Sequence, residues 1–195
     1  MRFFLVLLFL CCMGPVFAEP QPVAKFSNPT LGFTYSASPQ FLLVDNPKAL
    51  GEVRAKGNEL LSGEGKESVK SERIGLHFVA ALMPECKASV NLATEELAAS
   101  AMTTDQYLTM AVASLPRLLP GAKIKGAIPS RTIGGRKFKG IAYDATMGGA
   151  PYSANVYINC HKGLAYVITL GDRSESFAKH KSLLEKSLTG FQFSK

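Results

Sequence analysis

The last third of the sequence alternates strand-like apolar stretches with short breaks that contain glycine. The breaks are Gly134-Gly135, Gly148-Gly149 and His161-Lys162-Gly163. Glycine adopts the positive φ angles that tight hairpin turns require, so these breaks favour antiparallel hairpins. The predicted strands are Lys123 to Gly126, Arg136 to Thr146, Tyr152 to Cys160 and Leu164 to Leu170. A chain with four such strands in succession is constrained to form an antiparallel sheet.

Further strands are predicted in the first half of the chain and at its end. Leu31 to Tyr35 forms the first of them. Ile74 to Met83 is almost entirely apolar, as expected for a strand that is covered on both faces. Ala88 to Leu97 alternates apolar and polar residues, and Phe191 to Phe193 can add a terminal strand.

Three segments show the apolar spacing of helices. A helix is predicted after Pro47, and a second begins at the capping box of Thr103 and Gln106 and ends or kinks at Pro116. Asp172 and Glu175 are expected to cap the third. The apolar faces comprise Leu50, Val53, Gly57, Leu60 and Leu61 in the first helix, Tyr107, Leu108, Ala111, Val112 and Leu115 in the second, and Phe177, Leu184 and Leu188 in the third. We therefore predict an α+β fold in which helices sandwich an antiparallel sheet.

Four segments in this order resemble the PsbP-like α/β/α sandwich superfamily. They are Leu31-Gly32-Phe33-Thr34-Tyr35, Thr132-Ile133-Gly134-Gly135-Arg136, Gly163 to Thr169, and Ser187 to Phe193. The sequence is most similar to exported bacterial members of that superfamily. The resemblance implies the sandwich fold and a non-enzymatic accessory or binding role. It assigns no functional residue, because no motif of the photosynthetic or Ran-binding members matches a position here.

The amino terminus has the pattern of a secretory signal peptide. Arg2 precedes an apolar run from Phe3 to Met13, followed by Gly14-Pro15 and by the expected cleavage region Val16-Phe17-Ala18. A helix of eleven residues rises ~16 Å, about half of the hydrocarbon core of a membrane. We predict cleavage after Ala18, a flexible lead-in over residues 19–30 and a single α+β domain over residues 31–195. No later apolar run reaches ~18 residues, so a periplasmic or secreted protein without a transmembrane segment is expected.

Two cysteines remain after removal of the leader, Cys86 and Cys160. An even pair in an exported chain predicts a disulfide. A zinc site that uses Cys86, Cys160 and His161 is the sharper alternative, but only two of these residues are close in sequence, and zinc requires four ligands or three plus water. Free buried thiols are the third possibility. We expect no metal and no cofactor.

No recognisable catalytic motif accompanies the three histidines. His77 lies within an apolar strand, His161 in a predicted turn and His180 on the last helix. We interpret the first as a hydrogen-bonded histidine of the core or of a sheet face, and the others as surface residues. Glu95 and Glu96 are adjacent on a strand, so their side chains face opposite sides and cannot act as a catalytic pair. Phosphate-binding loops, zinc-binding helices and nucleophile elbows are absent from the sequence.

A basic run gives the one positive functional hypothesis. It contains seven cations and no acidic residue, namely Arg117, Lys123, Lys125, Arg131, Arg136, Lys137 and Lys139. Lys123 and Lys125 share one strand face, as do Lys137 and Lys139, so neighbouring strands could bring four ammonium groups together. With Arg131, these lysines are the candidate binding residues. The alternative is a solvated strand face on which lysine prevents edge pairing.

Three functions are compatible with the sequence. The first is an exported, non-catalytic binding or accessory module that contacts an envelope protein or another anionic surface through the basic face. The second is a hydrolase or metal-dependent enzyme with a dispersed site, and the third is a structural assembly subunit. Nucleic acid is not expected as a partner, because export removes most nucleic-acid targets and the basic run contains a single aromatic residue, Phe138. We favour the first.

Overall fold

The computed structural model of the chain describes residues 25–52, 74–84, 87–119, 121–147 and 149–194. The predicted signal peptide, Cys86 and most of the helix predicted after Pro47 lie outside these ranges, although residues 47–52 are helical. None of the helices in the described ranges is long and apolar enough to cross a membrane.

Within the described ranges, ten strands form two antiparallel sheets. The large sheet has the order β3-β4-β5-β9-β8-β7-β6 and the small sheet the order β1-β2-β10. The strands are β1 (Lys25–Asn28), β2 (Phe33–Ser36), β3 (Phe41–Val44), β4 (Ile74–Leu82), β5 (Ser89–Glu96), β6 (Lys123–Ile133), β7 (Arg136–Met147), β8 (Ala150–His161), β9 (Leu164–Arg173) and β10 (Phe191–Phe193). The two long helices are α1 (Thr104–Leu118) and α2 (Ser174–Ser187).

The two faces of the large sheet have separate cores. On one face α1 covers side chains of β7, β8 and β9, including Ile141, Tyr143 and Val156. On the other face α2 and the small sheet cover a core rich in aromatic side chains. Its main members are Phe33, Tyr35, Phe78, Phe138, Tyr157, Tyr166, Leu184 and Phe191. Both faces are therefore protected from water, and the predicted α+β sandwich is confirmed.

Two tight turns lie side by side at one end of the large sheet. Gly134 and Gly135 connect β6 to β7 with φ angles of 54° and 87°. Lys162 and Gly163 connect β8 to β9 with φ angles of 50° and 75°. Positive φ at both central residues is the type I′ geometry that matches the twist of hairpin strands. A Cβ at Gly134 would lie 2.8 Å from the carbonyl oxygen of Phe191, so that position also requires glycine for space.

The helix ends follow the sequence in one case and depart from it in the other. Thr103 and Gln106 form the predicted capping box at the start of α1. Pro116 lies inside α1, which continues to Leu118. The N-cap of α2 is Arg173 rather than the predicted Asp172, and it forms no side-chain capping bond because a guanidinium has no acceptor atom. Asp172 instead accepts hydrogen bonds from the N–H of Arg173 and from His180.

Several strand bounds differ from the prediction. Lys25–Asn28, within the expected flexible lead-in, forms β1 and pairs with β2. Phe41–Val44 forms an edge strand that the sequence analysis did not include. β6 extends to Ile133 beyond the predicted Gly126, through two register shifts.

Candidate functional site

The predicted cluster of four lysines does not form, although their strands are neighbours. In the antiparallel hairpin, Lys123 pairs with Asp144 and Thr132 pairs with Lys137. Seven residues of β7 separate Asp144 from Lys137, which corresponds to ~23 Å along the strand. Lys123 and Lys125 therefore lie at one end of the hairpin, and Lys137 and Lys139 at the other. The sequence pattern could not show this, because period-two alternation gives the face of a residue but not its register.

The two lysine pairs also lie on opposite faces. Lys125 forms a 2.8 Å ion pair with Asp144, on the face that α2 covers. Lys139 forms an ion pair with Asp105 in the first turn of α1, on the other face. Arg131 bonds to Glu185 of α2 at 2.7 Å. These pairs are exposed to solvent and contribute little to stability, but they reduce the positive charge that three of the five candidate residues present to a partner.

A different group of basic residues comes together at the end of the sheet that carries the two tight turns. Lys139 of β7 pairs with Ile158 of β8 in antiparallel register. Three residues further toward the turns, the same register places Arg136 opposite His161. Lys162 follows His161 in the adjacent turn. We call this group the basic end and define it as Arg136, Lys137, Lys139, His161 and Lys162. Lys162 and His161 join it through the fold, since they lie more than twenty residues from the basic run.

Arg136 is held in place by aromatic rings. Its guanidinium carbon lies 5.1 Å from the ring centre of Tyr166 and 4.8 Å from that of Phe193. Its Nη2 donates a 2.9 Å hydrogen bond to the carbonyl oxygen of Ser194. Cation–π contacts of this kind restrict an otherwise flexible side chain. The basic end therefore has a fixed cation at its centre.

His161 is affected by the charge of the basic end. Burial first, and then the positive charges of Arg136 and Lys162, hold the pKa of His161 below its ordinary value. Its imidazole is therefore mainly neutral at pH 7. An anion bound nearby would offset the two positive charges and raise that pKa.

His77 makes contacts typical of a core residue. Its Nε2 lies 2.7 Å from Oγ1 of Thr94, and its ring packs edge-on against Phe33. Burial lowers the pKa of His77 to about 4. The position coincides with a register shift between Leu76 and Phe78, so His77 accommodates an irregularity in β4.

The surroundings of His180 differ from the surface position that the sequence suggested. Its Nδ1 lies 2.8 Å from Oδ2 of Asp172, whose side chain is completely buried. Ser153 pairs with Asp172 across β8 and β9, but its hydroxyl donates to Asp144 at 2.6 Å and lies 2.8 Å from that of Ser174. Serine, histidine and aspartate are thus neighbours. In the described part of the chain, however, neither serine hydroxyl bonds to the imidazole.

Cys160 carries a free thiol, and the predicted disulfide with Cys86 is not formed in the structure. Cys86 itself lies outside the described residues. Ser89, three residues after Cys86, pairs with Gly171 of β9, and Gly171 pairs with Ala154 of β8. Ala154 and Cys160 are six residues apart on β8, which corresponds to ~20 Å along the strand. A disulfide requires Cα atoms within about 7 Å, so this register is unfavourable for the bond. An even number of cysteines predicts a disulfide but carries no information about strand register.

The free thiol lies in a buried polar cluster beneath the start of α1. The N–H of Cys160 donates to Oγ1 of Thr104, and the hydroxyl of Tyr107 donates to Glu95 at 2.6 Å. Burial raises the pKa of the Cys160 thiol to about 11. A protonated thiol is a poor nucleophile and a poor metal ligand. No group of three or more potential metal ligands occurs within the described ranges.

Comparison with known proteins supports the fold. Neither a protein-family model nor a curated protein sequence matches the chain. The solution structure of the cyanobacterial PsbP protein CyanoP from Synechocystis superposes with a TM-score of 0.56 at 14% identity, covering 94% of this chain and 98% of that one. A crystal structure from Bacteroides thetaiotaomicron gives a TM-score of 0.50 at 12% identity, covering 90% of this chain and 50% of that one. The chain therefore has the PsbP-like fold that its sequence resembles.

Proposed function

We propose that the protein is an exported, non-catalytic binding module that holds an anionic partner at the basic end of its sheet. One observation carries the proposal. Two adjacent turns bring Arg136 and Lys162 together beside His161, and the rings of Tyr166 and Phe193 contact Arg136. Lys137 and Lys139 lie at the same end of the sheet, on the opposite face of β7. Concentrated cations of this kind attract anions and accelerate their association.

Export is supported by the sequence rather than by the structure. The first eighteen residues have the pattern of a cleavable leader. The resemblance of the sequence to exported PsbP-like proteins likewise implies an accessory role outside the cytosol. In such a compartment the partner would be an envelope protein or another anionic surface.

Matched charge reversals test the basic end. Lys137→Glu/Lys162→Glu changes the net charge as much as Lys123→Glu/Lys179→Glu, but only the first pair lies in the basic end. We expect the first variant to lose most of its affinity for poly-L-glutamate at ~0.1 M salt, where charges interact over ~10 Å, and the second to retain it. Equal losses would show attraction by net charge alone and would contradict the proposal. Thermal unfolding of both variants checks that the fold is intact.

Hydrolysis is the second candidate, and the contact of His180 with Asp172 beside Ser153 and Ser174 favours it. Such an enzyme would use a histidine oriented by a buried carboxylate to activate a serine. A fluorophosphonate probe tests this reaction directly. Labelling of Ser153 or Ser174 that is lost in His180→Ala would support hydrolysis, whereas an unlabelled protein would favour the binding module.

A further inference from the structure

Three polar atoms at the basic end are buried without a hydrogen-bond partner among the described residues. They are Nη1 of Arg136, Oδ1 of Asn159 and Nε2 of His161. Buried polar atoms in folded proteins are nearly always hydrogen-bonded. A group of unsatisfied atoms therefore points to an interaction with something outside the described chain.

The three atoms belong to one corner of the structure. Asn159 and His161 lie two residues apart on β8, so their side chains point to the same face. Asn159 pairs with Tyr166, and the guanidinium of Arg136 lies over the ring of Tyr166. His161 lies near enough to Arg136 to be affected by its charge. All three side chains are half-buried, so the corner lies at the surface of the protein.

The other polar atoms of this corner are already engaged, which fixes its orientation. Nη2 of Arg136 donates to the carbonyl oxygen of Ser194, and Nδ2 of Asn159 donates to the carbonyl oxygen of Lys137 at 3.0 Å. Arg136 and Asn159 are therefore each held by one hydrogen bond, while a second polar atom of each side chain has no partner among the described residues. The corner offers a guanidinium donor, an imidazole nitrogen and an amide oxygen that accepts.

We propose that Arg136, Asn159 and His161 form a binding site for a carboxylate that lies next to an N–H group, as at the C-terminal residue of a peptide. The inference rests on the proposed function, because it names the chemical group that the basic end binds. Nη1 of Arg136 and Nε2 of protonated His161 donate to the carboxylate oxygens, and Oδ1 of Asn159 accepts the ligand's N–H. Arg136 disfavours a metal cation, and Oδ1 of Asn159 disfavours a fully ionised phosphate, which has no proton to donate.

N-acetylglycine is a minimal probe, because it carries both a carboxylate and the adjacent amide N–H. We would titrate the isotope-labelled full chain with N-acetylglycine, with acetate and with the neutral N-acetylglycinamide, following the NMR signals of Arg136, Asn159 and His161. N-acetylglycine should bind saturably and raise the pKa of His161. N-acetylglycinamide should bind at least ~10-fold more weakly, because it lacks the charge-assisted hydrogen bonds.

Two variants separate the roles of the side chains. Asn159→Ala should weaken the binding of N-acetylglycine but leave the binding of acetate unchanged, since acetate has no N–H. Arg136→Lys should weaken the affinity for both N-acetylglycine and acetate by ~10-fold, because lysine keeps the charge but not the planar arrangement of donors. Lys123→Ala, at the far end of the hairpin, is the control and should change nothing. The His161 titration uses the unmodified protein, so it remains decisive if a variant fails to fold.

Two results would overturn the site. One is an unchanged pKa of His161 at about 50 mM N-acetylglycine, well above the ~1 mM dissociation constant that a few hydrogen bonds give. The other is equal binding of N-acetylglycine and its neutral amide. If the site fails while Lys137→Glu/Lys162→Glu still abolishes binding to poly-L-glutamate, the proposed function stands without this pocket. If neither ligand binds, both proposals fall.

Discussion

The guanidinium carbon of Arg136 lies 4.8 Å from the ring centre of Phe193, and this contact joins the start of β7 to the C-terminal strand β10. The ring of Phe193 in turn packs against Phe33, Phe138 and Tyr166. The small sheet thus holds the central cation of the basic end. Stability and binding should therefore respond together to changes at Phe193.

Replacing Phe193 by leucine should destabilise the fold and loosen Arg136. The change removes a cation–π contact and several ring contacts, so we expect the free energy of unfolding to fall by about 1–3 kcal/mol. Binding of N-acetylglycine should weaken as well. Urea denaturation and NMR titration measure the two effects. Phe193→Tyr keeps the ring and should behave like the unmodified protein; an unchanged stability in Phe193→Leu would contradict the role of the contact.

Removing the imidazole of His180 should destabilise the fold, because the buried carboxylate of Asp172 loses a hydrogen-bond partner. In His180→Ala that carboxylate keeps the hydrogen bond from the N–H of Arg173 but loses its second partner. We expect a loss of about 1–3 kcal/mol in the free energy of unfolding at pH 7. Asp172→Asn/His180→Ala should recover part of this loss, because the buried side chain is then neutral. A double variant less stable than His180→Ala would show that the charge on Asp172 is not the cause.

The stability of the fold should decrease in mild acid because of His77. Its pKa is about 4 in the folded protein, compared with 6.5 ordinarily. Above pH 6.5 it is neutral in both states and contributes no slope. Between pH 6.5 and 4 the unfolded chain binds a proton that the folded protein excludes. The free energy of unfolding therefore decreases as the pH is lowered, by at most ~1.4 kcal/mol per pH unit. His77→Gln should have a smaller slope in urea denaturation between these values; identical slopes would exclude His77 as the cause.

Both cysteines of the processed protein should be reduced. The thiol of Cys160 is free, and the register places it far from the described residues that flank Cys86. Because burial raises its pKa to about 11, Cys160 should react slowly with iodoacetamide in the native state. Intact mass after alkylation in denaturant, without reductant, should show two modified thiols. An unalkylated protein with a mass two hydrogens below that of the reduced chain would show that the disulfide is present.

The general fold was predictable because its signals are local. Glycine turns at Gly134-Gly135 and Lys162-Gly163, apolar strands and the capping box of Thr103 each depend on a few neighbouring residues. Together they predicted the antiparallel sheet and both described helices. Strand β3 was missed because Phe41–Val44 is short and pairs only with β4, a partner distant in sequence.

The site could not be predicted, because it depends on register and on contacts between distant residues. The basic run includes Arg136, Lys137 and Lys139, but the antiparallel pairing places Lys123 and Lys125 at the other end of the hairpin. Lys162 and Asn159 lie outside that run, and nothing in their local sequence distinguishes them. The contact of His180 with Asp172 also spans a strand end and two helical turns. Asp172 lies in β9, before the helix begins, so helical periodicity does not indicate the contact.

The most direct test of the basic end is NMR mapping of poly-L-glutamate on the full chain. The account predicts that the largest amide shifts occur at Arg136, Lys137, His161 and Lys162, and that they diminish with added salt. The amide signals of Lys123 and Lys125, which lie at the opposite end of the hairpin, should stay close to their positions in the protein without polymer. Shifts of similar size at both ends would contradict the account, since the polymer would then be responding to net charge rather than to this site.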